Sequence, residues 1–394
     1  MAGLRDMYRT ALQGNKPVQV IIKIRYADGT NQEIVYHPSQ ITERYGTNPH
    51  QLFALLANDE YNFRVREVKT GKGGFSLTNI EDAFWASEFL KYCDNAACAV
   101  MKHENPCGGA AVTGNIVDSF MKAWWVDWIA AFGSVVGFNQ PITKELATEL
   151  VERVSNGRDA KYFIEALAAP DYEEGALGIL EKRPDLRALQ YDGFDKLPKY
   201  IGDPAAPVIK SLIEAGDMLS FEDRFLTRIR TSSDLLVPEI EVKDEKVRVG
   251  VVTKRQPTPE ELADLRNAWF AAYVLRSNSC AIFKDGVLIG PGTGQQDRVR
   301  AVRHAVNRVR ELEHEAERLG LAETRRSFHD YTLNGAVIAS EALFPFRDSI
   351  DAIGKTGITA VAQTGGSLRD REVIDAADEY GLSMILTGER TFRH

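Results

Sequence analysis

The sequence predicts an α/β protein built from two successive units, and three observations predict it. Short runs of small apolar residues, such as Ala96 to Val100 and Ser279 to Phe283, have the length and composition of buried strands. Helix-start chemistry stands ahead of both runs, at Thr78-Asn79-Ile80-Glu81 and at Thr258-Pro259-Glu260-Glu261. A Gly202-Asp203-Pro204-Ala205-Ala206-Pro207 stretch with linker composition separates the two regions.

Taken in order, Val18 to Tyr26 reads as a strand. Ala27-Asp28-Gly29-Thr30 supplies turn chemistry, and Gln32 to Tyr36 returns as a second strand. This β-hairpin belongs to an N-terminal arm, residues 1–40. The first unit, 41–199, holds the capped helix from Thr78 to about Tyr92 and the strand Ala96 to Val100. After these come a tryptophan-rich helix Phe120 to Trp128, a strand Ser134 to Phe138 after the Phe132-Gly133 turn, a helix Lys144 to Ser155 and an extended run Phe163 to Ala168. Trp124, Trp125 and Trp128 read as core or interface packing rather than as a binding platform. The second unit, 200–394, has a strand Val247 to Thr253, a helix from Thr258 to about Leu275 and a hairpin of Ser279 to Phe283 with Val287 to Ile289 about Asp285-Gly286. A long charged helix, Arg298 to Leu319, precedes Gly335 to Leu343 and the break Phe344-Pro345-Phe346. A helix from Asp348, a strand Ile358 to Ala362, a helix Asp370 to Tyr380 and a strand Met384 to Thr387 complete it. Asn105-Pro106-Cys107 and Asn278-Ser279-Cys280 echo each other beside strands, too briefly to establish a duplication.

The 394 residues are 44% hydrophobic and 26% charged, with net charge -8, which is ordinary for a globular protein with a large core. The basic residues form no sustained stripe, so a nucleic-acid partner is not expected. No apolar run approaches the length of a membrane span, and Met1 to Asp6 lacks the apolar core of a secretory leader. Cys93, Cys98, Cys107 and Cys280 contain no C-x-x-C pair, so neither a zinc site nor a disulfide framework is expected. The chain reads as cytoplasmic.

The chemistry gathers in a few segments. Met101-Lys102-His103-Glu104-Asn105-Pro106-Cys107-Gly108-Gly109 sets a cation and an imidazole side by side where a buried strand ends. Asn-Pro should turn the chain out of the sheet, and the glycines should allow a sharp turn and a close ligand. Open α/β sheets place ligands at such strand ends, although a Lys-His pair alone is more often a solvated edge. Arg44-Tyr45-Gly46-Thr47-Asn48-Pro49-His50-Gln51 crowds a guanidinium, a phenol, an imidazole and amides into eight residues. Gly290-Pro291-Gly292-Thr293-Gly294-Gln295-Gln296-Asp297-Arg298 is a glycine-rich loop able to cradle an anion at a helix start, but it matches no nucleotide-loop pattern. Phe344-Pro345-Phe346-Arg347-Asp348 sets aromatics beside a buried-looking Arg-Asp pair. Each alone is explained by a turn with a structural ion pair.

Together, and in this order, these segments with Ser277-Asn278 and Arg390-Thr391-Phe392-Arg393-His394 resemble the AICAR transformylases, the phosphoribosylaminoimidazolecarboxamide formyltransferases of purine biosynthesis, from about residue 41 onward. The resemblance implies two cytidine-deaminase-like three-layer α/β/α repeats without zinc, and a homodimer with sites at the interface. The tryptophan-rich helix 120–128 offers apolar surface for that dimer. It further implies formyl transfer from 10-formyltetrahydrofolate, a co-substrate rather than a tightly bound cofactor, to the 5-amino group of AICAR. The usual family member carries an IMP cyclohydrolase domain ahead of this region. The chain has no room for one and is expected to be a stand-alone transformylase.

By the same resemblance Lys102, His103 and Asn278 are catalytic: His103 accepts and carries the proton, Lys102 holds phosphate or tunes the histidine, and Asn278 holds the carboxamide and developing charge. Arg44, Tyr45, Asn79, Arg390, Phe392 and His394 would bind AICAR. Phe132, Gly133, Arg298, Val299, Phe344, Pro345 and Asp348 would bind the folate, with Asp348 accepting from the pterin. The sequence departs from the family at Glu104, which sets a carboxylate beside His103 against the charge of Lys102, and at Thr364, where proline is common. Glu341 stands in place of aspartate near a monovalent-cation site of some members, and Leu275 and Thr391 differ there too, which argues against retention of the cation. Two rivals are a zinc deaminase on the same fold, opposed by the missing C-x-x-C, and a non-catalytic purine-nucleotide-binding paralogue, opposed by the joint presence of Lys102, His103 and Asn278.

Overall fold

The computed structural model is a mixed α/β protein and describes residues 11–58, 64–152, 154–155, 160–161, 163–211, 219–242 and 245–394. In chain order its elements are β1 (Val20–Arg25), β2 (Asn31–Pro38), β3 (Leu56–Ala57), β4 (Arg64–Lys69), α1 (Leu77–Leu90), β5 (Ala96–Lys102), β6 (Asn105–Val112), α2 (Ile116–Val126), β7 (Ser134–Phe138), α3 (Lys144–Glu152), β8 (Val154–Ser155), β9 (Ala160–Lys161), β10 (Ile164–Ala169), α4 (Ala176–Leu180) and β11 (Arg187–Asp192). They continue as β12 (Val208–Ser211), β13 (Leu219–Glu222), β14 (Glu239–Val242), β15 (Glu245–Arg248), β16 (Gly250–Val251), α5 (Pro259–Val274), β17 (Cys280–Lys284), β18 (Val287–Gly292), α6 (Arg298–Arg318), α7 (Ala322–Arg326), β19 (Val337–Ser340), α8 (Asp348–Ile353), β20 (Ala360–Gln363), α9 (Asp370–Glu379) and β21 (Ser383–Leu386). The expected arm is present as the antiparallel β1–β2 pair, its turn closed by the Asp28 carboxylate accepting from the Thr30 amide at 2.9 Å. The leader reading at Met1 to Asp6 lies outside the described residues. Among the described residues no helix is long and apolar enough to cross a membrane.

The chain divides into two units. The first runs to Lys196 and adds Val287–Ile289 and Glu311–Tyr331; the second holds Leu197–Gly286, Gly290–Arg310 and Thr332–His394. In the first, the sheet order is Val287–Ile289, β6, β5, β7, β10, β11, β4. β5 is antiparallel to both β6 and β7; β7, β10 and β11 run parallel; β4 closes the edge antiparallel to β11. Adjacent residues Gly108 and Gly109 face opposite ways, one against Ala123 of α2 and the other against Phe89 of α1, so the two helices cover opposite faces of this sheet. β5 is buried from Ala96 to Met101, as a strand covered on both faces must be. In the second unit the order β17, β19, β20, β21, β16 repeats the directions of β5, β7, β10, β11 and β4.

Several expectations are revised. α1 is capped by Ser76, not Thr78, because Asn79 rather than Glu81 completes the reciprocal hydrogen bonds. The tryptophan-rich helix is α2, starting at its cap Asn115 and ending at Val126. Trp124, Trp125 and Trp128 are buried within the first unit, with Trp125 stacked on Phe328 at 5.6 Å, so these indoles offer no dimer surface. Asn105-Pro106 does not leave the sheet: β6 starts at Asn105 and returns along β5, and the register shift between Val100 and Met101 absorbs the proline. Gly108 and Gly109 lie inside β6 and admit helices rather than form a turn. The single strand expected over Val247 to Thr253 is divided between β15 and β16, with a positive φ of 76° at Gly250, the first residue of β16. The Asn105–Cys107 and Asn278–Cys280 echo pairs a β6 bulge with the entry to β17; the stretch that recurs is α1 with the turn after β5, against α5 with the turn after β17.

Candidate active site

α1 organises the candidate residues of the first unit. The Ser76 hydroxyl accepts from the Asn79 amide at 3.3 Å, and the Asn79 Oδ1 accepts from the Ser76 amide at 3.2 Å. This fixes the Asn79 side chain at the helix N-terminus, where its Nδ2 donates to Glu165 Oε2 at 2.9 Å. The same Glu165 oxygen lies 3.9 Å from the buried Arg44 guanidinium, which also covers the Tyr45 ring at 4.6 Å. Backbone bonds seat Arg44 and Tyr45: the Arg44 amide donates to Phe75 O, and the Leu77 amide donates to Tyr45 O. Behind them Arg187 donates to the carbonyls of Lys72, Gly74, Glu165 and Asp185. Burial, reinforced by the Arg44 charge, lowers the Arg187 pKa to about 10, so it stays cationic at neutral pH. Arg44, with Tyr45 beneath its guanidinium, and the Asn79 amide thus share the part-exposed Glu165 carboxylate, from which an incoming anion would have to take these donors over.

One helical turn after Asn79, Asp82 holds the next feature. Its carboxylate accepts from the Glu104 amide, and the His103 amide also acts on it. His103 and Glu104 have φ of 53° and 64°, and Lys102 pairs with Asn105 across them. This is a two-residue turn of the primed kind made without glycine, and each left-handed residue costs about 1–2 kcal/mol. Such strain persists where its surroundings over-determine it, and it concentrates at functional sites. Burial raises the Asp82 carboxyl to about 7, against the pull of the two amides. His103 is exposed at the tip. The Lys102 ammonium donates to the Phe132 carbonyl, beside Gly133, whose φ is 77°. The Phe132 ring is 55% exposed and lies 4.8 Å from the Phe163 ring.

The second unit carries the remaining candidates. Asn278 is fixed by exchange with Gln295: its amide and Nδ2 both donate to Gln295 O, at 3.0 and 2.8 Å. Arg298, Arg390 and His394 gather around Phe392, the two guanidiniums at 5.0 and 4.2 Å from the ring and the imidazole at 5.4 Å. Arg298 also pairs with the buried Glu341. Val299 follows it, half-buried. The Phe344 amide donates to Gln363 Oε1 at 3.0 Å, Pro345 O accepts from Ser367, and Asp348 stands exposed at the start of α8. The expected Arg347–Asp348 pair does not form: Arg347 binds Asp351 and Glu379, because the turn into α8 aims it along the helix. The α6 start is already capped by Asp297, which accepts from the Arg300 amide at 2.8 Å.

Thus the structure groups Arg44, Tyr45 and Asn79, groups Lys102 with Phe132 and Gly133, and gathers Arg390, Phe392, His394 and Arg298. Glu165, Arg187 and Asp82 were missed by sequence reasoning. Glu165 had a signal, a lone acid in an otherwise apolar strand; Asp82 had the Asn79 helix face; Arg187 had none.

A family model described as the AICARFT/IMPCHase bienzyme matches residues 19–308. Curated relatives named bifunctional purine biosynthesis protein PurH are 37% identical over 356 residues in Caldicellulosiruptor saccharolyticus, 37% over 354 in Aquifex aeolicus and 36% over 378 in Brucella anthropi. These alignments cover 89%, 89% and 94% of this chain but 58%, 59% and 62% of the relatives. The chain therefore spans about three-fifths of the length of the relatives it matches. With most of the chain under one family model and Lys102, His103 and Arg44 inside the matched span, the chain belongs to the AICARFT/IMPCHase bienzyme family.

Proposed function

We propose that this chain transfers a formyl group from 10-formyltetrahydrofolate to the 5-amino group of AICAR, giving FAICAR and tetrahydrofolate. The observation that carries the reading is the Lys102-His103 turn, held in a strained conformation above a buried carboxylate, together with the Arg44–Tyr45–Asn79 group that suits a ribonucleotide phosphate. Membership of a family named for this activity supports it.

In this mechanism the amine nitrogen attacks the formyl carbon, and the C–N bond to the folate then breaks. His103 accepts the amine proton and delivers a proton to the departing folate nitrogen. Lys102 holds phosphate or tunes the histidine, and the Asn278 amide holds the carboxamide and the developing charge, where a fixed donor acts most strongly. Arg44, Tyr45, Asn79, Arg390, Phe392 and His394 bind AICAR. Phe132, Gly133, Arg298, Val299, Phe344, Pro345 and Asp348 bind the folate; the exposed Phe132 and Asp348 suit a flat heterocycle with donor groups. The repeated strand order supports reading 41–199 and 200–394 as two cytidine-deaminase-like repeats behind an arm of residues 1–40. The active form is a homodimer in the cytoplasm, and four cysteines in a chain of 394 residues accord with a reducing compartment. No monovalent cation is required, because the Glu341 carboxylate already has Arg298 and two serine hydroxyls as partners.

The test is spectrophotometric. Purified chain with AICAR and 10-formyltetrahydrofolate should release tetrahydrofolate, and omission of AICAR should stop it. AICAR-independent release, or none, removes the reading. Equilibrium sedimentation showing a fully active monomer removes the dimer.

A further inference from the structure

The two units contain the same buried device at one place in each. In the first, Asp82 of α1 lies under the His103-Glu104 turn and accepts from its amides. In the second, Asp264 of α5 lies under the Asp285-Gly286 turn and accepts from the Gly286 amide at 2.7 Å and from Asp285. Each aspartate sits at the same step past its helix cap, Ser76 or Thr258, and each turn follows at the same spacing. Both carboxylates are buried, 6% and 8% exposed, which water-loving groups tolerate only when a specific bond needs them. The turns differ in composition. Asp285-Gly286, with φ of 48° and 78°, uses the residues that tolerate such a bend. His103-Glu104 makes the same bend without glycine and with a glutamate in the left-handed region, so there the carboxylate helps to hold what the backbone resists.

We propose that Asp82 is a positioning residue for formyl transfer: by binding the turn amides it fixes where the His103 imidazole and Lys102 ammonium stand. Asp264 is its structural counterpart beneath a turn that carries no chemistry. The proposal rests on the formyl-transfer reading for its kinetic consequence and on geometry alone for its structural one.

The experiment compares Asp82→Ala, Asp82→Asn and Asp264→Ala in the full chain. Each is assayed for kcat and KM, and each is followed by hydrogen exchange of the peptide spanning residues 101–107. Misplacing a reacting group by about an ångström costs on the order of 10²-fold. Asp82→Ala should therefore lower kcat by that order with AICAR KM little changed, and should speed exchange at 101–107. Asp82→Asn keeps an oxygen acceptor and should recover most of kcat and protection, the rescue that separates positioning from mere loss of stability. Asp264→Ala should leave kcat and the 101–107 exchange as in wild type. Wild-type kcat in Asp82→Ala, failure of Asp82→Asn to recover either property, or an equal kcat loss in Asp264→Ala overturns the proposal. If the wild-type chain transfers no formyl group, exchange still decides: faster exchange in Asp82→Ala alone upholds the anchor and sinks only the reaction, and unchanged exchange sinks the anchor as well.

Discussion

Arg298 Nη1 lies 2.5 Å from the carboxylate of Glu341, and that side chain is wholly buried. The Ser277 hydroxyl donates to one carboxylate oxygen and the Ser279 hydroxyl to the other at 3.0 Å, while the Thr391 amide takes the Glu341 carbonyl at 2.9 Å. The carboxylate is thus neutralised from within the protein. Two consequences follow, one for activity and one for stability.

Turnover should be the same in potassium, sodium and choline chloride at equal ionic strength, since an organic cation too large for a protein cage serves as well as a metal ion when none is bound. A rate that collapses in choline alone would show that a cation binds despite Arg298. Removing the guanidinium in Arg298→Met leaves a buried charge unpaired, and should cost about 3–5 kcal/mol in denaturant unfolding.

The assigned roles separate two classes of mutant. His103→Ala removes the proton carrier and should lower kcat by about 10²–10⁴-fold while calorimetry finds AICAR binding nearly intact. Arg44→Ala and Arg390→Ala remove phosphate contacts and should raise the AICAR KM more than they lower kcat. A His103→Ala enzyme with wild-type kcat would return the Lys102-His103 pair to an ordinary strand end.

Much of this was legible in the chain. β5, β7, α5 and α6 stand within a few residues of their apolar runs and cap signals, because burial and capping are local in sequence. The Lys102-His103 corner was legible too, but its cause was not. Nothing local to Asn105-Pro106 reveals that the chain turns on two left-handed residues, since the compensating carboxylate comes from Asp82 in the preceding helix. Glu165 and Arg187 escaped for the same reason: their meaning depends on Arg44 and on loop carbonyls far away in the chain. Arg347 was misread because adjacency in sequence suggested Asp348, whereas helix geometry sets it against Asp351, one turn on.

Two glycines should respond to alanine in opposite directions. A Cβ on Gly108 would meet the Ala123 carbonyl oxygen at 2.2 Å, backbone that cannot step aside, so Gly108→Ala should destabilise by about 1–3 kcal/mol or more through separation of α2 from β6. A Cβ on Gly178, inside α4, meets nothing within 4 Å. Gly178→Ala should stabilise by about 0.4–1 kcal/mol by restricting the unfolded chain. Urea midpoints measured side by side test both, and a neutral Gly108→Ala would mean that α2 does not sit against β6 as described.

Asp264 gives a pH dependence of definite sign. Burial, with a smaller push from the Asp285 charge, raises its carboxyl to about 6, against the pull of the Gly286 and Asp285 amides. In the unfolded chain an aspartate titrates near 3.9. The folded state therefore favours the protonated form, and stability present below about pH 4 is lost as pH rises through about 6. Asp264→Asn mimics the neutral acid and does not titrate, so groups common to both proteins cancel in the difference. The unfolding free energy of Asp264→Asn minus wild type should thus climb between about pH 4 and pH 7 by at most about 3 kcal/mol, then level off. Denaturant unfolding at successive pH values from 4 to 8 measures it. A difference flat across that range would mean that the carboxylate ionises freely beneath its turn, and that the Gly286 amide bond offsets the full cost of burying the charge.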